Sequence, residues 1–341
     1  MKIAIINDTH FGARNDSSLF LEHFLSFFEN QFFPYLEENN IDTIIHLGDL
    51  MDRRKYVNFN TLNLVRTKFI EKIKEKNIKF HMILGNHDTF YKNTNEVNST
   101  KELFSHYDFF KLYESPEKVK FDGLEIMMIP WICKENKDDV VSFIQSNNSP
   151  ILCGHLELRG YQVMPGVSFT EGMSDNIFSK FEMVLSGHFH SKSTKKNVYY
   201  LGTQYQITFG DTGQTKGFHV LNTETRDLHY IENKEKMFYI LNSDISDLDL
   251  NELRNKYVKY LISKDDEQKI TDSNISKIES ASPCDLTIVE DFTIGDEKIS
   301  VDLSKDTITI INEEINNLEI DVNIDRLKKI THEIYLEAIS Q

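Results

Sequence analysis

Cysteine is scarce in this chain of 341 residues. The three cysteines, Cys133, Cys153 and Cys284, lie far apart and form no Cys-x-x-Cys pair. That excludes a disulfide framework and a zinc knuckle and leaves reduced, buried thiols as the reading. Proline and glycine are also few, 6 and 14, so low-complexity character is excluded. No apolar run approaches the ~18 residues that span a bilayer. Met1 leads straight into Ile3-Ala4-Ile5-Ile6 without a basic region followed by a long apolar one, and a cytoplasmic protein with no membrane association is expected. Above all, the chain lacks positive charge: its formal net charge is −16. This argues against a protein that holds nucleic acid unaided, because non-specific affinity comes largely from neutralised phosphates.

The deficit is uneven. Residues 237–341 carry 23 Asp/Glu against 11 Lys/Arg, a net of −12, whereas residues 1–236 carry 31 against 27, a net of −4. The larger part is therefore near neutral, and bound cations would add positive charge where a phosphate must sit. Arg53-Arg54-Lys55 and Lys192 to Lys196 are basic clusters that read equally as nucleic-acid backbone contacts or as solvated loops. With 40% hydrophobic residues, including 24 Phe and 14 Tyr, the chain has material for one large domain and a smaller one.

Five polar motifs each come after an apolar, strand-like run: Asp8-Thr9-His10, Gly48-Asp49, Gly85-Asn86-His87-Asp88, Gly154-His155 and Gly187-His188-Phe189-His190. Taken singly, each reads as a turn, with Gly taking positive φ and the polar side chain capping backbone amides. Taken together they do not. Strands of an α/β sheet deliver the residues at their carboxyl ends to one edge, where binding crevices form. Two carboxylates and four imidazoles packed there without a cation would bury charge uncompensated. Asp8 and His10, two apart, are expected on one side of the chain, as are His188 and His190. The set offers oxygen and nitrogen ligands and no sulfur.

The order Asp-x-His, Gly-Asp-x-x-Asp, Gly-Asn-His-Asp, Gly-His, Gly-His-x-His over residues 1–190 resembles the calcineurin-like metallophosphoesterase superfamily. A narrower resemblance lies in Asp8-Thr9-His10-Phe11-Gly12, Tyr200-Leu201-Gly202-Thr203, Thr208-Phe209-Gly210-Asp211 and Lys216-Gly217-Phe218. These are similar to the nuclease subunit of the double-strand-break repair and recombination complex, in size and spacing most like its bacteriophage version. The resemblance implies a four-layer α-β-β-α sandwich binding two divalent metal ions. One ion would take Asp8, His10 and His190, the other Asn86, His155 and His188, with Asp49 bridging. Two such cations stabilise the attacking and leaving oxygens of an in-line displacement, and the mixed carboxylate, amide and imidazole donors suit Mn²⁺. His87, outside the ligand set, is expected to approach the phosphoryl group. Asp88 is expected to accept a hydrogen bond from an imidazole and fix its orientation. Asp52, with Arg53 and Arg54, is a candidate substrate contact; the cellular nucleases of the family commonly carry His where this chain has Asp52. His46 and His81 sit inside strands and read as core.

For the organisation of the chain, Asp16-Ser17-Ser18 caps a helix with face Phe20, Leu21, Phe24, Leu25, Phe28, and a second helix is expected over Asn60–Lys76. Repeated strand and helix imply α/β layering. The expected domains are a metallophosphoesterase nuclease domain at 1–235, a small α/β cap at 236–300 and a C-terminal helical segment at 301–341. The amphipathic helix Asp325 to Ile339 either folds back on the cap or docks on a partner. The family resemblance implies DNA as substrate, an SMC-like coiled-coil ATPase subunit as partner, a homodimer, and, if phage-encoded, residence in the bacterial host cytoplasm. Other metallophosphoesterases, nucleotide phosphodiesterases or protein phosphatases, are the alternative. Protein phosphatases favour Gly-Asp-x-Val-Asp-Arg-Gly and Gly-Asn-His-Glu, which this chain does not have. A non-catalytic scaffold would hardly retain His87.

Overall fold

The computed structural model describes residues 1–290, apart from 165–166, 243, 247, 263–265 and 267, and beyond 290 only isolated positions. The chain divides into two compact units, Met1–Asp291 and Phe292–Gln341. The expected C-terminal helical segment, with its amphipathic helix Asp325 to Ile339, lies outside the described residues except at those isolated positions.

In chain order the strands are β1 (Lys2–Ile6), β2 (Thr43–His46), β3 (Lys79–Ile83), β4 (Phe110–Tyr113), β5 (Glu117–Phe121), β6 (Leu124–Ile129), β7 (Ile151–His155), β8 (Gln162–Met164), β9 (Val167–Ser168), β10 (Met183–Gly187), β11 (Ser193–Lys195), β12 (Val198–Tyr200), β13 (Lys216–Asn222), β14 (Leu228–Asn233), β15 (Phe238–Leu241), β16 (Tyr257–Ile262) and β17 (Asp285–Glu290). Two six-stranded sheets have the orders β14-β13-β1-β2-β3-β4 and β11-β12-β10-β7-β6-β5. In the first, β1 to β4 run parallel; in the second, β12, β10, β7 and β6 do.

Parallel strands buried on both faces read as continuous apolar runs, and here alternate residues serve two cores. Ile3, Ile5, Ile45 and Ile83 of the first sheet meet Ile126, Met128, Ile151, Cys153 and Leu185 of the second. The intervening Ala4, Ile6, Ile44, Phe80 and Met82 face a layer of helices. On the far side Met127, Leu152 and Val184 cluster with Val140 and Ile144 of the Lys137–Ser146 helix. The result is the expected α-β-β-α sandwich. Cys133 and Cys153 are buried, Cys284 is exposed, and all three are free thiols.

The first helix, Ser18–Phe27, is capped by Ser17, whose hydroxyl accepts from the Phe20 amide. It passes through a π-helical turn, Phe28–Phe32, into Phe33–Glu38. The second expected helix is likewise interrupted: Phe59–Val65, a π-turn at Arg66–Ile70, then Glu71–Glu75. Each π-turn delivers aromatic side chains to one packed centre, where Phe28 and Phe69 stand 4.7 Å apart between ring centroids.

A three-stranded parallel sheet, β15-β16-β17, carries the helix Gln268–Ser280 between its last two strands. Leu241, Leu253, Val258, Tyr260 and Ile278 form its own core. Aromatic contacts tie it to the helical layer, with Phe20 5.6 Å from Phe238 and 5.1 Å from Tyr257. Among the described residues, no helix is long and apolar enough to cross a membrane.

Candidate metal centre

The carboxyl ends of β1, β2 and β3 lie side by side, and each continues into a polar turn. Asp8 N donates to the Gly48 carbonyl (2.9 Å) and His10 N to that of Asp49 (3.2 Å), lacing the first two turns together. The second and third turns meet through glycine. A methyl group on Gly48, which has φ +93°, would stand 2.6 Å from the Gly85 amide nitrogen and 2.7 Å from His155 Nδ1. From the second sheet, His188 N donates to Asp8 Oδ2 (2.9 Å), so the strand ends of both sheets converge at one place.

The ligand atoms fall into two groups around Asp49. Asp8, His10 and His190 offer donor atoms all within 4.8 Å of one another, and His10 Nε2 faces His190 Nε2 at 3.1 Å. On the other side His155 Nε2 and His188 Nδ1 each lie 2.9 Å from Asn86 Oδ1. Between the groups, Asp49 Oδ2 is 3.8 Å from His10 Nε2 and 3.5 Å from His155 Nε2. Thus all seven expected ligands come together.

Each imidazole needs its second nitrogen held if the first is to present a lone pair. His155 Nδ1 is 2.7 Å from the Leu47 carbonyl, which fixes that nitrogen as donor and frees Nε2. His10 Nδ1 stands 3.2 Å from Asp52 Oδ1. His188 is turned the other way, Nε2 lying 3.5 Å from Glu157 Oε1, so that Nδ1 faces the cluster. Glu157 is the residue that sequence reasoning missed; its only signal is its position two residues after a ligand histidine. Asn7 is a second, donating to Asp8 Oδ2 (2.6 Å) and to the Gly202 carbonyl (3.0 Å).

The electrostatics describe a cluster that wants cationic charge. Burial alone would depress His10 and His155, yet the facing carboxylates, Asp52, Asp49 and Asp8 for the first and chiefly Asp49 for the second, push them up to about 9 and about 10. Burial pushes the Asp8 carboxyl up. Burial acts in the same direction on Asp49, but His155, His87 and His10 overcome it and hold that carboxyl well below the usual carboxylate range. Burial, reinforced by the neighbouring His155 charge, lowers His188 to about 3. Two sequestered carboxylates offset only by imidazoles, with oxygen and nitrogen donors and no thiolate, are a donor set for hard-to-borderline divalent cations. The residues present fit that cofactor.

The remaining candidates take other places. His87 sits beside the ligands, its ring centroid 4.8 Å from that of His10. Its amide donates to Asp49 Oδ1 (2.7 Å) and its Nδ1 lies 2.5 Å from the Asp52 carbonyl, and one of its ring nitrogens lies within 4.8 Å of donor atoms of His10 and Asp49. Asp88 does not receive an imidazole. Its fully buried carboxylate accepts from the amides of Asp49 (2.8 Å), Leu50 (3.0 Å) and Gly85 (2.8 Å), because the Gly85–Asp88 turn closes directly over the Gly48 turn. Burial and then Asp49 raise it to about 7 against those three donors. Arg54 donates to the carbonyls of Thr89 and Tyr91 (2.9 Å each) and to Thr89 Oγ1 (3.0 Å), clamping two loops. Arg53 engages Asp16, Asn15 and Tyr56. His46 is a buried core residue between Thr9 Oγ1 and the Gly48 amide, 3.2 Å from each. His81 meets the Tyr113 hydroxyl at 2.7 Å.

The narrower motifs support the same site from behind. Lys216 Nζ and the Thr203 amide donate to the His190 carbonyl at 2.8 and 3.1 Å. Lys216 is paired with Asp211 at 2.6 Å in a buried ion pair, and Asp211 also accepts from the amides of Ile207 and Thr208 (2.9 Å each).

These elements define a metal-dependent phosphoesterase. The chain belongs to the calcineurin-like phosphoesterase family, whose sequence profile matches residues 1–192. Among its relatives, exonuclease subunit 1 of Enterobacteria phage T4 is 29% identical over 99% of both chains. One subunit of the nuclease SbcCD from Staphylococcus epidermidis is 24% identical over 67% of this chain and 67% of its own length. The DNA double-strand break repair protein Mre11 of Sulfurisphaera tokodaii is 26% identical over 56% of this chain and 49% of its own.

Proposed function

We propose that the protein is the nuclease subunit of a recombination and repair complex, an exonuclease and endonuclease hydrolysing DNA phosphodiester bonds with two Mn²⁺ ions. The observation that carries this reading is the Asp49 carboxylate standing between two donor groups. Asp8, His10 and His190 would hold one ion, Asn86, His155 and His188 the other, with Asp49 shared. When bound, the ions supply charge stabilisation to an in-line displacement at phosphorus. The chain's own part is orientation. The Leu47 carbonyl, Asp52 and Glu157 hold three ligand imidazoles, and His87, steadied at Nδ1 by the Asp52 carbonyl, turns Nε2 toward the phosphoryl group to stabilise it or protonate the leaving oxygen. Full-length similarity to a phage exonuclease subunit supports DNA as substrate.

An SMC-like coiled-coil ATPase is the proposed partner, through residues 301–341. A homodimer is proposed through the helix at Phe59–Val65, where Phe59 is 86% exposed and Leu62 and Leu64 are only partly covered. The test is Asp49→Ala. It should abolish Mn²⁺-dependent cleavage of linear duplex and single-stranded DNA, as EDTA should in the wild type. Turnover surviving in that variant would overturn the two-metal reading.

A further inference from the structure

β2 ends on His46, whose fully buried ring lies 5.8 Å from that of Phe80 between centroids. Packing there asks only for a side chain of this size. The two nitrogens are satisfied all the same, each by a different turn of the metal centre: the Gly48 amide stands 3.2 Å from Nδ1, and Thr9 Oγ1 stands 3.2 Å from Nε2. A buried polar ring is retained at a cost that only such partners offset.

The donors and acceptors follow from one another. An amide N–H only donates, so Nδ1 accepts, and the neutral ring carries its proton on Nε2. Nε2 then donates to Thr9 Oγ1, which leaves the hydroxyl hydrogen for the Leu50 carbonyl at 3.0 Å. Thr9 is held at its other end as well: the hydroxyl of Tyr205, a fully buried residue stacked on Phe24 at 3.7 Å, donates to the Thr9 carbonyl (2.6 Å). On the far side of His46, Asp88 accepts from the next two amides, Asp49 and Leu50. Three successive amides, Gly48 to Leu50, thus end on two buried side chains, and the turn beneath the Asp49 carboxylate keeps no donor for an alternative register.

Thr9 separates the candidate ligands Asp8 and His10, and Gly48 precedes the bridging candidate Asp49. We propose that His46 is a positioning residue of the metal centre, the strut that fixes the turn from Asp8 to His10 at its distance from the Asp49 carboxylate. The proposal rests on the two-metal reading of the site and deepens it. A carboxylate shared by two ions has both of its metal distances set by one backbone position, and placement of such a group matters to within about 0.5 Å. His46 touches neither ion nor substrate. It acts through Gly48 on the shared ligand and through Thr9 on the ligands of one ion, so its loss changes how the two turns stand to each other.

Metal-free protein tests the wiring. In a long-range proton–nitrogen NMR spectrum His46 should carry its proton on Nε2, and a proton on Nδ1 overturns the proposal. Mn²⁺ calorimetry and electron paramagnetic resonance test the consequence. The wild type should give the exchange-coupled spectrum of a Mn²⁺ pair. His46→Leu should bind Mn²⁺ roughly 10–100-fold more weakly and give the spectrum of isolated ions, whereas His46→Asn, whose Oδ1 can stand where Nδ1 does, should recover most of both. Thr9→Val keeps the side-chain shape without the hydroxyl and serves should His46→Leu fail to fold; it should weaken Mn²⁺ binding in the same direction. Wild-type affinity and a coupled spectrum in His46→Leu and Thr9→Val, with only the melting temperature lowered, make His46 a packing residue and overturn the proposal while the two-metal reading stands. A wild-type protein without a coupled pair removes the two-metal reading, and the proposal falls with it.

Discussion

Asp8, His10, Asp49 and His188 hold φ of 47°, 43°, 59° and 88°, a region that non-glycine residues occupy at a cost of about 1–3 kcal/mol each. Strain at four candidate ligands is sustained because neighbours over-determine each one, and Asp52 is the test of this. Asp52→Asn removes the charged partner of His10 Nδ1 while keeping the carbonyl that meets His87. Calorimetric Mn²⁺ binding to the variant should be roughly 10–100-fold weaker, and unchanged affinity would show that His10 is oriented otherwise. His87→Ala should do the reverse: metal content near normal, with cleavage slower by on the order of 10²–10⁴. Loss of metal in that variant would return His87 to the ligand set. The clustering of the candidate ligands is legible in the sequence because each carries its own donor atom after an apolar run. What that donor does next is not. Alternation along a strand cannot describe Asp8 and His10, since both lie past β1 in left-handed conformation. Asp88 reads as an imidazole's partner only because the closure of its turn over Gly48 leaves no trace in residue type. Glu157 belongs to no repeating pattern at all.

Among elements, the segment 208–218 shows how a motif can be visible without its reason. Its residues are recognisable by resemblance, yet only the fold reveals that Asp211 and Lys216 form a pair with side chains 5% and 3% exposed, hung beneath the His190 carbonyl. Truncating one partner of a buried pair strands the other charge, which costs about 3–5 kcal/mol. Lys216→Ala should lose that much in urea denaturation, and a loss below about 1 kcal/mol would mean that water reaches Asp211. The π-turns are a counterexample to periodic reasoning. Phe28 and Phe69 do lie on the core faces that their spacing predicts, but an extra residue in a turn does not disturb an i, i+3, i+4 pattern enough to be noticed.

For the whole molecule, four layers are readable because β1, β2, β3, β7 and β10 are apolar on both faces, a pattern that only a doubly covered sheet explains. Those layers also sequester histidines away from the metal centre. Burial, with Lys192 nearby, lowers His219 to about 3, and burial, with Lys256, lowers His23 to about 3. Below the ordinary value of about 6.5 the unfolded chain takes up a proton at each position and the native protein does not. Each therefore contributes stability that is complete above about 6.5 and is lost as pH falls toward about 3, at about 1.4 kcal/mol per pH unit. In urea denaturation between about pH 6.5 and 4, the stability gap between wild type and His219→Gln should narrow at that rate as pH falls. A gap independent of pH would mean that His219 protonates freely in the native fold.

The pairing of His10 with His190 joins residues 180 positions apart, and the first sheet itself waits for β13 and β14 to complete it. Synthesis at about 5–20 residues per second therefore leaves a growing chain without its catalytic centre for most of its time on the ribosome. A product cut short before Gly187 lacks His188 and His190, one candidate ligand from each donor group, and has nothing to set in their place. Translation through β14 is thus the step that completes the site, and products interrupted before His190 lack part of its donor set.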